Sequence, residues 1–192
     1  MNAKSPQLSL FDAPAAGPEG LVYRTDFLRP EEEAALAGEL SRLPFREFEF
    51  HGFLGKRRTV SFGWRYAFDG SGLHEAEPMP GFLRPLLDRA AAFAGLVPEA
   101  FAHALVTEYA AGAGIGWHKD RSVFDEVVGV SLLAPARLRF RRRSGTGWER
   151  FTLDAQPRSA YLLTGKVRSE WEHSIPAMEA LRYSVTFRTL KP

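Results

Sequence analysis

The sequence predicts an α+β domain that is mainly β, with the architecture of a jelly roll and supporting helices on one side. The first observation is a series of short apolar segments after Phe45, separated by turn-forming residues at regular spacing, which is typical of a double-sheet β fold. The second is that a single long helical pattern interrupts this series. The third is size, since 192 residues with 45% hydrophobic content suffice for one domain with its own core.

Composition limits the class of protein. The chain contains no cysteine, which excludes disulfides and any cysteine-ligated zinc or iron–sulfur site. It has no apolar run long enough to span a membrane, and its N-terminus lacks an apolar signal core. The formal net charge of +2 is modest. We therefore expect a cytoplasmic protein without a membrane partner, acting as a monomer.

Residues 1–19 are rich in Ala, Pro, Gly and Ser, which predicts a disordered tail. One apolar island interrupts the tail, and it reads QLSLF. This island resembles the peptide with which bacterial DNA repair and replication proteins hold the sliding clamp. The resemblance implies clamp binding through Gln7, Leu8, Leu10 and Phe11. The alternative is an arm that folds back as a strand on its own domain.

The first elements of the domain are a strand and a helix. The segment LVYRTDFL, which begins at Leu21, has the apolar character of a strand. A helix should begin at Pro30, because proline suits the first turn and the three glutamates that follow favour the positive end of the helix dipole. The apolar stripe that should pack on the sheet consists of Ala34, Leu36, Leu40 and Leu43. A second helix is predicted over residues 80–96, with Pro85 in its first turn.

Between the two helices, residues 46–70 are aromatic and rich in turn signals, which predicts two or three short strands. Trp64, Tyr66 and Phe68 alternate, so they should project to one side of a strand. Aromatic rings beside the basic cluster that ends at Arg58 suit unstacked bases and phosphates. The alternative is that these rings form the inward face of a sheet.

The second half of the chain predicts most of the sheet. After a strand over residues 104–109, VVGVSLL is an apolar run typical of a buried strand. In RLRFRRR, Leu138 and Phe140 should face inward and the alternating arginines outward, which gives a basic stripe. The outward residues are Arg137, Arg139 and Arg141. This stripe either binds nucleic acid or is simply solvated. A hairpin, two strands and a loop with Lys166 and Arg168 then lead to the final strand, RYSVTFRTL.

The stretch GIGWHKD, residues 114–120, contains the pattern on which the predicted site depends. If it is a strand, His118 and Asp120 lie at i and i+2 and point to the same face. His173, in WEHSIP, can supply a third ligand from a neighbouring strand. Two histidines and one carboxylate form the facial triad of non-haem Fe(II) oxygenases. Zinc is the alternative metal, and hydrogen-bonded core histidines are the structural alternative.

The final strand offers cations for an acidic cosubstrate. A dicarboxylate keto-acid needs a cation for its far carboxylate, and arginine binds carboxylate in bidentate fashion. Arg182 lies nine residues after His173. In a strand, the residues that share its face are Ser184, Thr186 and Arg188. We therefore predict that this face lines the site.

Together these segments resemble the AlkB family of iron and 2-oxoglutarate dependent dioxygenases, in order from about Arg58 to the C-terminus. The most specific matches are the His-x-Asp pair and RYSVTFR, which is similar to the family signature R-x-N-x-T-F-R with Ser184 in place of Asn. The resemblance implies a double-stranded β-helix that binds Fe(II) through His118, Asp120 and His173. It implies 2-oxoglutarate and O2 as cosubstrates. The cosubstrate contacts that it implies are Arg182, Arg188, Tyr109, Ser184 and Thr107, the last in place of a family Asn.

The resemblance also suggests how the domain is divided and what it acts on. It implies helices and a nucleotide-recognition lid in residues 20–103 and a jelly-roll core in residues 104–192. The implied substrate-binding residues are Trp64, Tyr66, Phe68, Arg58 and Arg121. The implied reaction removes alkyl groups from bases of nucleic acid, releasing formaldehyde, succinate and CO2, and the clamp-like peptide favours DNA repair. The alternatives are an RNA-modifying or protein-hydroxylating relative and a catalytically silent nucleic-acid-binding module.

Overall fold

The computed structural model describes residues 17–50, 53–67 and 72–191, and its strands and helices are numbered in chain order. The strands are β1 (Leu21–Arg24), β2 (Arg46–Phe50), β3 (Phe53–Phe62), β4 (Trp64–Ala67), β5 (Gly72–Glu75), β6 (Phe101–Tyr109), β7 (Ile115–His118), β8 (Phe124–Leu132), β9 (Ala136–Ser144), β10 (Gly147–Ala155), β11 (Ser159–Leu163), β12 (Glu172–Ile175) and β13 (Arg182–Leu190). The helices are α1 (Pro30–Leu40), α2 (Arg84–Ala94) and α3 (Gly165–Ser169), with 3₁₀ turns at Gly81–Leu83 and Pro98–Ala100. Strands dominate, as the sequence predicted.

The larger sheet has seven strands in the order β1-β11-β8-β13-β6-β3-β2. Its pairings are antiparallel, and the last strand of the chain, β13, lies in the middle. There Arg182 pairs with Tyr109, and Ser184 lies between Thr107 on one side and Ser131 on the other. The strand that was predicted to hold the cosubstrate is therefore buried between two neighbours along most of its length.

The smaller sheet has four antiparallel strands in the order β10-β9-β12-β7. Apolar side chains from both sheets pack together in one cluster, which includes Tyr109, Val127, Leu138, Phe140, Tyr161 and Ile175. The strands β6, β13, β8 and β11 therefore face β7, β12, β9 and β10 across a shared core. This confirms the predicted jelly roll, and its two facing four-stranded layers form the double-stranded β-helix.

Helices α1 and α2 cover the other face of the larger sheet. Leu40, Leu87 and Ala90 from the helices share a buried cluster with sheet residues such as Val106 and Val185. This confirms the expected helical layer on one side. One detail of the predicted stripe is wrong: Ala34 is exposed, because two residues turn a helix by about 200° and place Ala34 across α1 from Leu36.

The structure corrects two predicted elements in the second half of the chain. The segment with Lys166 and Arg168, predicted as a loop, forms the short helix α3. Strand β8 begins at Phe124, three residues before the apolar run VVGVSLL in which a strand was predicted. The two elements are in contact, because Arg168 of α3 donates to backbone carbonyl oxygens of Asp120, Arg121 and Phe124.

The expected strands of residues 46–70 are present, and β4 pairs with β5 in a separate two-stranded sheet. The clamp-like peptide Gln7–Phe11 and the lid residue Phe68 lie outside the described residues, so clamp binding stays a prediction. Of Tyr66, only the strand that carries it is described. No helix in the described ranges is both long and apolar enough to cross a membrane.

Candidate metal centre and cosubstrate pocket

Strands β7 and β12 bring two histidines together inside the jelly roll. His118, at the end of β7, pairs directly with His173 of β12, and their ring centres are 4.3 Å apart. Asp120 follows His118 by two residues. Each of the three side chains offers one ligand atom, and these atoms all lie within 4.8 Å of one another. The structure therefore gathers the three residues that the sequence predicted as metal ligands, with His173 on the neighbouring strand.

Gly114 lets β7 approach β12 closely. A Cβ at this position would lie 2.7 Å from the carbonyl oxygen of Ile175 and 2.9 Å from the carbonyl carbon of Pro176. Such contacts are shorter than a Cβ tolerates, so a larger residue would push the two strands apart. The first glycine of GIGWHKD thus serves the geometry of the histidine pair.

Burial keeps both imidazoles neutral. It lowers the pKa of His173 to about 3, and the neighbouring His118 adds to this effect. It also lowers the pKa of His118. Nδ1 of His118 donates a hydrogen bond to the carbonyl oxygen of Gly116 at 2.9 Å, because a carbonyl can only accept. The lone pair of Nε2 is then free for a metal ion, and neutral imidazole is the form that binds metals.

Asp120 is the anion of the cluster. Burial acts to raise its pKa, but the positive charge of Arg188, with a smaller contribution from Arg168, outweighs this, so the pKa lies below the ordinary value. Nη2 of Arg188 donates to Oδ1 of Asp120 at 3.2 Å, and both side chains are nearly buried. The carboxylate therefore stays ionised. Arg188 therefore holds this metal-facing carboxylate, and its predicted contact with the cosubstrate stays a prediction.

Arg168 fixes the loop that carries Asp120. Its guanidinium donates to the backbone carbonyl oxygens of Asp120 at 3.3 Å, Arg121 at 2.6 Å and Phe124 at 2.8 Å. The side chain is only 9% exposed. In the sequence, an arginine in a polar segment has the appearance of a solvated cation, so this role was not predicted.

Arg182 lies at the centre of a second, adjoining group of polar side chains. It is 1% exposed, and its Nε donates to Oγ of Ser131 at 3.0 Å. The guanidinium carbon lies 5.2 Å from the centre of the Tyr109 ring. Its Nη1 is buried and has no hydrogen-bond partner among the described residues. A buried cation with a donor to spare suits an anionic ligand, because an unpaired buried charge is costly.

Hydroxyl groups surround Arg182 on the same face of the sheet. Thr107 and Ser184 pair across β6 and β13, and both are buried. Burial raises the pKa of the Tyr109 hydroxyl, with the charge of Arg182 acting in the opposite direction, so that this hydroxyl stays protonated at neutral pH. Ser131 was missed in the sequence because it lies within the apolar run VVGVSLL.

His103 is a further residue whose place the sequence did not indicate. Nη1 of Arg188 donates to Nδ1 of His103 at 3.3 Å, since a guanidinium can only donate. The imidazole stacks on Phe124 with ring centres 4.9 Å apart. Burial lowers its pKa well below the ordinary value, and the charge of Arg188 adds to this. His103 is thus a structural histidine that supports the arginine in contact with Asp120.

Comparison with known proteins agrees with this geometry. The family model of the 2OG-Fe(II) oxygenase superfamily matches residues 20–188. The chain belongs to this superfamily. Its cofactor is therefore Fe(II), and its cosubstrates are 2-oxoglutarate and O2.

The curated relatives of this oxygenase are AlkB-like. The chain is 29% identical over 193 residues to the "Alkylated DNA repair protein ALKBH8 homolog" of Arabidopsis thaliana, covering 88% of this chain and 54% of the relative. It is 26% identical over 163 residues to the "tRNA (carboxymethyluridine(34)-5-O)-methyltransferase alkbh8" of Xenopus tropicalis, covering 82% of this chain and 25% of the relative. The chain thus spans about half of the first relative and a quarter of the second. It is an AlkB-like 2OG-Fe(II) oxygenase.

Two solved structures share the fold of the oxygenase. OsALKBH1 superposes with a TM-score of 0.67 at 14% identity, covering 88% of this chain and 96% of that chain. A prolyl-4-hydroxylase of Pseudomonas putida superposes with a TM-score of 0.60 at 15% identity, covering 90% of this chain and 93% of that chain. At these identities the likeness concerns the fold, and it agrees with the double-stranded β-helix described above.

The residues present fit both the metal and the cosubstrate of this oxygenase. Two neutral imidazoles and one ionised carboxylate, with ligand atoms within 4.8 Å of one another, are the donor set that would hold non-haem Fe(II). The spare donor of Arg182 suits the far carboxylate of 2-oxoglutarate, because a guanidinium can hold a carboxylate with two parallel hydrogen bonds.

The structure places Arg58, one of the predicted substrate-binding residues, on the helical side of the larger sheet. Arg58 forms an ion pair with Glu108 at 2.7 Å, and Glu108 also accepts from the hydroxyl of Tyr183, which belongs to the core beneath the helices. Arg58 therefore points away from the metal side of the sheet. Because side chains alternate along a strand, the preceding residue, Arg57, turns to the metal side. Its charge is among the causes that lower the pKa of His118.

The other predicted substrate-binding residues are spread over two regions. Trp64 is partly buried on β4, outside the two main sheets. Arg121 is partly exposed and directly follows Asp120. Phe68 and the side chain of Tyr66 lie beyond the described part of the chain. Substrate binding by these residues stays a prediction.

Proposed function

We propose that this oxygenase removes alkyl groups from N-alkylated bases of DNA, in the repair of alkylation damage. One observation carries the proposal: a buried arginine with a donor to spare, Arg182, shares a face of β13 with Arg188, which pairs with Asp120 of the metal cluster. This combination suits a metal-dependent oxidation that consumes a dicarboxylate. The name of the Arabidopsis relative, an alkylated DNA repair protein homolog, supports damaged bases as the substrate.

When bound, Fe(II) supplies the coupled reaction in which O2 and 2-oxoglutarate oxidise an N-methyl group, with formaldehyde, succinate and CO2 as products. The chain prepares the site for this reaction. Arg182 would hold the far carboxylate of the keto-acid, while its Nε donates to the hydroxyl of Ser131. Arg188 keeps Asp120 ionised, while burial keeps both histidines neutral. The pocket therefore needs no proton transfer before metal and cosubstrate bind.

The recessed position of the cluster requires that the target base leave its stack. His118, Asp120 and His173 are partly buried between the two sheets rather than on an outer surface. A base inside a duplex cannot reach such a site, so the enzyme must act on an unpaired strand or extrude the nucleotide. The charges of Arg57 and Arg121, which lie near the cluster, suit the phosphates on either side of an extruded base.

The test measures formaldehyde release from a single-stranded DNA oligonucleotide that carries one N-methylated base, with Fe(II) and 2-oxoglutarate supplied. We expect formaldehyde and succinate in equal amounts from the wild-type protein. We expect neither product from Asp120→Ala, since that variant lacks the only anionic ligand of the cluster. Succinate without formaldehyde across several methylated bases would refute dealkylation while leaving the oxygenase intact.

RNA is the second candidate substrate, and one observation favours it. The name of the Xenopus relative refers to a tRNA. DNA and RNA oligonucleotides of the same sequence and lesion, assayed in parallel, separate the two candidates. Equal or faster release of formaldehyde from the RNA strand would count against a DNA repair role. The prolyl-4-hydroxylase neighbour shares only the fold, so it does not favour a protein substrate.

A further inference from the structure

Arginine and tryptophan side chains alternate on the smaller sheet. The guanidinium of Arg141 lies 4.3 Å from the ring centre of Trp117 and 4.2 Å from that of Trp148. Arg139 lies 5.1 Å from the ring of Trp117, and Arg143 lies 4.2 Å from the ring of Trp148. These five residues come from strands β7, β9 and β10. We refer to them as the arginine–tryptophan ladder.

The ladder lies on the outer face of the jelly roll. Its arginines alternate along β9 with Leu138 and Phe140, which are buried in the core between the sheets. Because side chains alternate along a strand, the arginines must point to the opposite face. Arg143 is exposed, and Arg139 and Arg141 are partly exposed. This confirms the basic stripe that the sequence predicted, but the two tryptophans come from other strands.

The tryptophans order the arginines. A guanidinium within about 6 Å of an indole ring is attracted to the face of the ring. Two of these contacts hold Arg141, and its Nε also donates to Glu172 at 2.6 Å. Nε of Arg139 donates to Oγ of Ser174 at 3.0 Å. An arginine held by its Nε and its flat face keeps its remaining N–H groups for an outside ligand, and it loses little side-chain entropy when that ligand binds.

The outer face of β9, which carries the arginines of the ladder, has excess positive charge. Four arginines alternate along the outer face of β9, namely Arg137, Arg139, Arg141 and Arg143. Two of them have carboxylate partners, since Arg137 lies 3.6 Å from Asp154 and Arg141 pairs with Glu172. Within the described ranges, Arg139 and Arg143 have no carboxylate within 4.0 Å. The face therefore suits a ligand with several negative charges in a row.

The ladder also begins next to the metal cluster. β7 is an edge strand of the smaller sheet, and Trp117 on its outer face directly precedes His118 on its inner face. One strand thus carries both the first ring of the ladder and a histidine of the cluster. A ligand that leaves the mouth of the jelly roll at β7 would pass directly onto the ladder.

We propose that the ladder binds the sugar–phosphate backbone of the single DNA strand that carries the target base, on one side of that base. The proposal rests on the nucleic-acid substrate of the proposed function. Arginines two residues apart on a strand are about 6.6–6.8 Å apart, which is comparable with the spacing of phosphates along an extended single strand. Guanidinium groups bind phosphate oxygens in bidentate fashion. A single strand is favoured over an acidic protein because the charges form a regular row rather than a pocket.

The experiment compares long and short single-stranded substrates in variants of the full chain. Arg141→Ala with Arg143→Ala should weaken binding of a 20-nucleotide DNA strand at least about tenfold at low salt. It should also reduce the slope of log affinity against log salt by about 1.4, since each phosphate contact on a single strand contributes about 0.7. Turnover of a methylated trinucleotide, which is too short to reach the ladder, should stay within about twofold of the wild type.

The variant Trp148→Ala separates the effect of holding the arginine side chains in place from the effect of their charge. This variant keeps every arginine, so the salt slope should stay unchanged, while affinity for the long strand should fall by about two- to fivefold because the guanidinium groups are no longer held. The matched control is Arg42→Ala with Arg84→Ala, which removes two exposed arginines from the helical side of the protein. It makes the same change in net charge and should leave the slope unchanged. Arg143→Ala alone serves as the test if the Arg141 variant does not fold.

The outcomes distinguish this proposal from the proposed function. An equal decrease in the salt slope of DNA affinity in the ladder variant and in the helical control would overturn the proposal. The decrease would then come from the change in net charge alone. The proposal would also be overturned if the ladder variant bound the long strand like the wild type, even if dealkylation were normal. Tenfold tighter binding of an RNA strand of the same sequence would overturn the assignment to DNA. Ladder-dependent DNA binding without formaldehyde release from any lesion would support the ladder and refute the proposed function.

Discussion

Replacement of Arg182 should have opposite effects on cosubstrate binding and on the stability of the metal-free protein. The guanidinium is 1% exposed, and its Nη1 has no partner among the described residues. In Arg182→Met, the far carboxylate of 2-oxoglutarate loses its cation. Removing one partner of a buried, hydrogen-bonded charge pair costs about 2–5 kcal/mol. This corresponds to a loss of affinity of about 30- to 5,000-fold.

Thermal unfolding under anaerobic conditions with Fe(II) measures this loss. At 100 times its Kd, 2-oxoglutarate should stabilise the wild-type protein by about 2.7 kcal/mol, which raises Tm by about 5–11 °C for a domain of this size. At the same concentration, a 30-fold weaker variant gains about 0.9 kcal/mol. The rise in Tm should therefore fall to about 4 °C or less.

Without ligand, the same variant should be at least as stable as the wild type. Replacing a buried charge by an apolar side chain of similar volume is often neutral or stabilising. The matched control is Tyr183→Phe, because Tyr183 is the next residue on β13 but belongs to the core on the opposite face. Its response to 2-oxoglutarate should be that of the wild type. A rise in Tm in Arg182→Met equal to that of the wild type would refute the cosubstrate role of Arg182.

Three further predictions concern the metal cluster. In calorimetric titrations, Arg168→Ala should weaken metal binding by about 10- to 100-fold, because the Asp120 loop loses its support. The control Lys166→Ala should bind the metal as tightly as the wild type, since Lys166 is exposed and pairs with Glu19. Gly114→Ala should also weaken metal binding, because the added Cβ pushes β7 away from β12. Gly116→Ala should not weaken it, because its added Cβ would meet open space. Equal metal affinities in the two variants would show that the close approach of the strands is unimportant. The metal-free protein should lose stability in mild acid. Because burial lowers the pKa of His173 to about 3, against about 6.5 in the unfolded chain, the unfolded state takes up the proton first as the pH falls. The contribution of His173 is thus complete above about pH 6.5 and is lost between there and about pH 3. Urea unfolding should show that His173 lowers the free energy of unfolding by about 2 kcal/mol at pH 5 relative to pH 7. The variant His173→Gln should not show this decrease. An identical pH dependence of the free energy of unfolding in the two proteins would contradict this account.

The sequence predicted the metal cluster because two of its three ligands lie close together along the chain. His118 and Asp120 are two residues apart, which predicted one shared face for a strand; β7 ends at His118, and Asp120 in the loop that follows still reaches the same point. His173 could be assigned only as a candidate for a neighbouring strand, and the direct pairing of β7 with β12 confirmed it. The polar face of β13 was predicted for the same local reason, since the alternation of RYSVTFR fixes which side chains share a face.

The supporting residues could not be predicted, because their roles depend on partners far away along the chain. Ser131 supports Arg182 across 51 residues, and His103 contacts Arg188 across 85 residues. Arg168 reaches carbonyl oxygens more than 40 residues away. A serine in an apolar run or an arginine in a polar segment has no local sign of such a contact.

The choice between Arg57 and Arg58 illustrates the same limit. The sequence shows a basic cluster but does not show which arginine faces the metal. The register of β3 against β6 pairs Arg58 with Glu108 and so assigns Arg58 to the face beneath the helices. A shift of one residue would have exchanged the two arginines, because strand side chains alternate with a period of two.

By itself, the sequence determined the mainly-β fold, the three residues of the metal cluster and the polar face of the last strand, because alternation and residue chemistry act over a few neighbouring positions. Only the tertiary structure decided which side chains support that cluster and which arginine faces it. It also decided that Trp117 and Trp148, from separate strands, meet the arginines of β9 to form the ladder. The physical reason is that hydrogen bonds and ring contacts between strands depend on pairing register and sheet order, which are properties of the whole fold rather than of any local segment.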